Sequence, residues 1–173
     1  MPRRARVVIP GVPHYFLQCG KPGQIVFCTD REREMFLRLL ARNSERFGLR
    51  VMAYCLLADR YGLVAVPQTV DAPARALARV HSDYARVVLL DRDARGAMWK
   101  ERYESTPLNS GEYGRVVAEI ERSPIDAGPV RLSEFHRWLG AAAWRRVLRG
   151  GENVLAGAVA STLSVCAFCS FLG

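Results

Sequence analysis

Polar and apolar positions alternate in two distinct periods along this chain, and the periods predict its elements. Residues 15–19 alternate and predict a strand. A loop follows at Gly20-Lys21-Pro22-Gly23, and residues 25–28 are expected to extend the strand edge. Phe36, Leu39, Leu40 and Phe47 fall at i, i+3, i+4 and i+11, one apolar face of a helix over residues 29–47. Thr29 and Glu32 have capping-box spacing at its start, and Gly48 stands where a helix would end. Residues 51–58 and 61–66 are near-continuous apolar runs broken only at Asp59-Arg60, which predicts two buried strands joined by a tight turn. Asp71 and Pro73 mark the start of a second helix over residues 72–90, with Leu77, Val80, Tyr84 and Val88 as its apolar face. A last strand is expected over residues 98–108, a helix over 110–122, a breaker at Ser123-Pro124, and a short helix over 141–148. The order β-α-β-β-α-β-α predicts an α+β, ferredoxin-like split βαβ fold. Its antiparallel four-stranded sheet would carry helices on one face and a helical C-terminal extension.

With 173 residues, half of them hydrophobic, the chain suits one domain with a sizeable core. The expected division is a domain over residues 1–149 and a tail over 150–173. From Val154 to Gly173 there is no charged residue, but the stretch is rich in Gly, Ala, Ser and Thr, so a packed helix is expected rather than a membrane span. Five cysteines in no disulfide pattern, with no apolar signal core after the basic N-terminus, predict a reduced cytoplasmic protein. Cys166 and Cys169 form a lone C-x-x-C without the second pair that zinc would need.

Charge changes the picture more. The net charge is +8, the pI about 9.7, and nearly all the positive charge is arginine, the only lysines being Lys21 and Lys100. Guanidinium forks bind phosphate bidentately, so a nucleic-acid partner is expected, with a solvated basic surface as the alternative. Arg75, Arg79 and Arg86 at i, i+4 and i+11 form a basic stripe on the second helix. Lys100, Arg102 and Tyr103 form a basic-aromatic cluster on the expected last strand, suited to phosphate contact and base stacking, or to hydrogen bonding within the sheet. His81 reads as a helix-surface or satisfied, partly buried histidine, His136 as packing and Trp99 as core.

Four segments in order carry a family resemblance. Ile9-Pro10-Gly11-Val12-Pro13-His14 resembles the opening strand of the REP-associated tyrosine transposases, a branch of the HUH-type single-strand DNA transposases. Residues 98–108 resemble that family's "LWQGRYYSCPL" strand. Residues 123–130 resemble its "NPVRAGLV" segment, and Trp138 with Ala141-Ala142-Ala143 resembles "WSSAAAH". The resemblance implies metal-dependent cutting and rejoining of single-stranded DNA at repeat hairpins during DNA transposition. Two histidines at i and i+2 on one strand would share a divalent metal such as Mg or Mn, and a tyrosine on a later helix would be the nucleophile.

This chain departs from the pattern at all three positions. The family's "MPNHVHLLV" falls on residues 57–65, so its histidines become Arg60 and Gly62. Its "YVERNP" falls on residues 119–124, so the tyrosine becomes Glu119. Arginine has no lone pair for a metal and glycine has no side chain. A catalytically inactive DNA-binding protein with no metal or other cofactor is therefore expected. Its nucleic-acid contacts are expected from Arg3, Arg4, Arg6, His14, Gln18, Lys21, Arg75, Arg79, Arg86, Lys100, Arg102 and Tyr103, against single-stranded or hairpin DNA, as a monomer or homodimer. Cys19 stands where the family often has an arginine, which weakens the expectation of hairpin reading. Two other readings stay open. One is a divergent transposase using displaced groups among Asp59, Glu119, Glu121, Tyr61 and Tyr113, and the other is a decayed product without selected function.

Overall fold

The structure, a computed structural model, describes the backbone of residues 7–121 and the side chains of residues 7–116. Its elements in chain order are β1 (His14–Cys19), α1 (Asp30–Phe47), β2 (Leu49–Leu56), β3 (Arg60–Pro67), α2 (Ala72–Asp91), β4 (Glu104–Pro107) and α3 (Ser110–Glu121). The strands form one sheet in the order β2-β3-β1-β4, with every neighbouring pair antiparallel. This is the split βαβ arrangement expected from the order of periods.

The first helix begins and ends as its sequence dictates. Thr29 Oγ1 accepts from the Glu32 amide while Glu32 accepts from the Thr29 amide, and Gly48 closes the helix in the left-handed conformation at φ 70°. Glu32 does more than cap. Its carboxylate also accepts from the Cys28 amide and pairs with Arg92 just past the end of α2. Arg92 in turn donates to the carbonyls of Ile25 and Val26, which fastens the loop between β1 and α1 to both helices.

The sheet is covered on both faces. On one, Phe16, Tyr61 and Leu63 pack with Phe36, Leu37 and Leu40 of α1 and Leu77, Val80, Tyr84 and Val88 of α2. On the other, Tyr15, Ala53, Cys55 and Val64 pack with Leu108 and with Val116 of α3. The expectation of helices on one face is therefore corrected. Periodicity shows that a helix has an apolar side, but not which sheet face receives it. β3 is buried at every position from Tyr61 to Pro67, so both of its faces need cover.

Two strand expectations also change. Of residues 98–108, only Glu104–Pro107 pair as a strand, and Trp99 makes a single bridge to Gly20. Met98 and Tyr103 lie on irregular backbone but are buried in the core, which a strand-like pattern does not distinguish from sheet. Residues 25–28 form no strand; the Val26 and Phe27 amides both donate to the Ala58 carbonyl instead. Among the described residues no helix is long and apolar enough to cross a membrane. The expected helix over 141–148, the tail, Cys166, Cys169, His136 and the segments after residue 121 lie outside the described residues.

Candidate nucleic-acid interface

Strand alternation puts Arg60 and Gly62 on the sheet face that α3 covers, and Tyr61 on the other. The register places Cys19 opposite Arg60 and Leu17 opposite Gly62. Arg60 turns onto its neighbour: Nε donates to both Asp59 oxygens and Nη2 donates to Oδ2 at 2.8 Å. Asp59 is thus engaged by a guanidinium and is not an open carboxylate. Burial pushes the Cys19 thiol up, against the pull of Arg60. Beside Gly62 the hydroxyl end of Tyr15 occupies the space in front of the glycine.

These side chains do not fit a divalent metal. Arg60 offers no lone pair and Gly62 no donor. Among the described residues no group of three or more His, Cys, Asp or Glu is placed to hold a metal. Glu119 falls within α3, beyond the described side chains. Tyr113 on the same helix is half-buried against the Tyr15 cluster. Tyr61 is fully buried, its hydroxyl 2.7 Å from His81 Nε2, and burial pushes its pKa well above the usual phenol value. His81 also packs its ring 4.7 Å from Trp99, and its carbonyl accepts from the Trp99 indole. His81 is thus a half-buried histidine with a hydrogen-bond partner and Trp99 packs against the core, as their sequence context suggested.

The residues expected to contact nucleic acid divide into three groups. Arg3, Arg4 and Arg6 lie outside the described residues. His14, Gln18 and Tyr103 are buried. The His14 ring accepts from the Ile9 amide at Nε2 and lies 2.8 Å from the Val12 carbonyl at Nδ1, so both nitrogens serve the backbone. Gln18 donates to the carbonyls of Cys19 and Glu101, tying β1 to the segment before β4. The Tyr103 ring packs edge-on to Phe16, 5.7 Å away. A ring 7% exposed in the core offers no stacking platform, which corrects the base-stacking expectation for Tyr103.

Lys21, Lys100 and Arg102 are exposed, on loops rather than a strand. The α2 stripe is exposed but partly neutralised. Arg75 pairs with Asp71, and both Arg79 and Arg86 pair with Asp83. Exposed surface pairs of this kind hold their partners weakly.

The fold brings out a second basic row. Arg38, Arg42 and Arg46 stand at i, i+4 and i+8 on α1, all exposed. No ion pair among the described residues engages Arg38 or Arg42. The spacing is present in the sequence, but Glu34 and Glu45 interleave with it and mask it as mixed charge. The rows meet at Phe47, whose ring lies 5.1 Å from the Arg46 guanidinium carbon and 4.8 Å from that of Arg75. Exposed arginines of α1 and α2 thus come together at Phe47.

An antiparallel β2-β3-β1-β4 sheet, with α1 and α2 on one face and α3 on the other, defines a split βαβ domain. The chain is similar to a REP-associated tyrosine transposase bound to a REP hairpin, with a TM-score of 0.65 and 17% identity over 94% of this chain and 95% of that one. A candidate transposase from Deinococcus radiodurans R1 matches with a TM-score of 0.48 and 16% identity, over 66% of this chain and 92% of that one. No family model and no curated protein matches. At 17% identity the likeness is one of fold, and the chain has the fold of the REP-associated tyrosine transposase.

Proposed function

We propose that this chain is a transposase-fold protein that binds hairpin or single-stranded DNA and does not cut it. The observation that carries the reading is the state of the strand-β3 site. Where the resemblance places two metal-binding histidines, Arg60 is tied to Asp59 and Gly62 faces the Tyr15 hydroxyl end. Chemistry of the transposase kind needs a metal to polarise the phosphate and a tyrosine to take the strand covalently. Arg60, Gly62 and Glu119 supply neither.

What supports binding is the fold, similar to that of a transposase bound to a REP hairpin, together with the basic surface of α1 and α2. Arg38, Arg42 and Arg46 would supply phosphate contacts from α1, and Arg75, Arg79 and Arg86 from α2. Lys21, Lys100 and Arg102 add charge on the loops beside the sheet. Such contacts position a backbone without reading sequence.

The test is incubation with a labelled stem-loop carrying single-stranded flanks, in Mn²⁺. The expected outcome is a retained complex on a native gel, with no cleaved strand and no covalent adduct on a denaturing gel. An adduct, or metal-dependent cleavage, contradicts the reading.

A further inference from the structure

Gly62 has no backbone reason to be glycine. It sits inside β3, paired to both neighbouring strands, and its φ is not in the left-handed region. What requires a small residue there is Tyr15. A Cβ built on Gly62 would lie 2.7 Å from Tyr15 Oη, 3.1 Å from Cε2 and 3.3 Å from Cζ. The first of these separations is closer than real contacts allow, so the tyrosine would have to move. Its room to move is small, because Tyr15 is 7% exposed and packs among Ala53, Cys55, Val64, Leu108 and Val116. Interiors filled this closely respond to one extra carbon.

We propose that Tyr15 and Gly62 are a matched pair that closes the metal position by packing. The aromatic side chain of Tyr15 fills the place that a second imidazole on β3 would need. Arg60 and Gly62 offer no ligands, and the Tyr15 ring in addition occupies the space a larger side chain at position 62 would need. Reinstating histidine at positions 60 and 62 therefore does not restore a divalent-metal site unless Tyr15 is also made small. This rests on the proposed reading only in taking 60 and 62 as the metal positions. It makes no use of nucleic-acid binding.

The test compares the parent chain, Arg60→His/Gly62→His, and Arg60→His/Gly62→His/Tyr15→Ala. Each is titrated with Mn²⁺ alone by calorimetry and with Co²⁺ alone by visible absorption. The expected result is no gain in affinity for the double variant and at least a tenfold gain for the triple variant. Equal binding by the double and triple variants overturns the proposal, and so does a triple variant with no gain. Where the double variant does not fold, a stability cycle decides. Gly62→Ala lowers the melting temperature in the Tyr15 chain and lowers it much less in the Tyr15→Ala chain, whereas additive losses overturn the pairing. No DNA is present in either experiment, so failed hairpin binding and a failed Tyr15–Gly62 pairing are separate outcomes.

Discussion

Arg79 Nε donates to Asp83 Oδ2 at 2.8 Å, and Arg86 Nη2 stands 3.8 Å from the other oxygen of the same carboxylate. One acid thus partly neutralises two members of the α2 basic row. Asp83→Asn is expected to free both guanidinium groups and to tighten stem-loop binding. Surface pairs are worth about 0.2–1 kcal/mol, so the gain is up to about fivefold. Fluorescence anisotropy measures it. Unchanged affinity with an unchanged salt dependence would remove α2 from the interface.

The α1 row gives a second expectation. Arg38→Gln/Arg42→Gln removes two exposed charges while keeping good helix formers, so stability should stay within about 0.5 kcal/mol. Binding should weaken, and the slope of log K against log salt should fall by about 0.7 for each single-strand phosphate that is no longer neutralised. A double variant with the parent slope would mean that α1 faces away from the nucleic acid.

Tyr103 tests the opposite case. Removing an aromatic side chain that stacks on a base costs about 1–3 kcal/mol of binding. With its ring against Phe16 in the core, Tyr103→Leu should cost stability but leave stem-loop affinity within about twofold. A folded Tyr103→Leu protein with tenfold weaker binding would put the ring at the interface.

Arg92 and Glu32 set the expected response to acid. Burial raises the Glu32 carboxyl, but Arg92 and the amides of Cys28 and Thr29 outweigh it and hold the group below its ordinary 4.5. The folded chain therefore holds this proton less tightly than the unfolded one. The resulting stability is complete above the ordinary value and is lost as pH falls through the lowered folded value. Urea titrations from neutral pH to below 4.5 should show Glu32→Gln less stable at neutrality and flatter toward acid than the parent. Arg92→Ala should lose about 1.5–3 kcal/mol at neutral pH, the range for hydrogen bonds to charged groups.

Elements with a local cause were legible in the sequence. Thr29 and Glu32 marked α1 because a capping box is written within four positions, and Gly48 marked its end because the left-handed cap favours glycine. The runs around Asp59-Arg60 marked β2 and β3 because a strand buried on both faces must be apolar throughout. What depended on distant packing was not legible. Tyr103 and Met98 are buried in the core that the sheet shares with α1 and α2 without pairing in β4, so the pattern overextended that strand. Nothing near Arg92 in the sequence marks its role, because Glu32, Ile25 and Val26 reach it from about sixty residues away. At the candidate site, Arg60 and Gly62 were visible as departures from a motif. Tyr15 as the side chain that fits against Gly62 was not, because a diagonal contact between β1 and β3 has no trace in either strand alone.

The central measurement is the titration of the purified chain against a fluorescent DNA stem-loop and a blunt duplex of matching length, at low and at physiological salt. Binding that prefers the stem-loop and weakens steeply with salt is the predicted result, since each phosphate neutralised by an arginine releases condensed counterions. Equal weak binding to both DNAs, or binding indifferent to salt, would contradict a hairpin-binding function for this transposase fold.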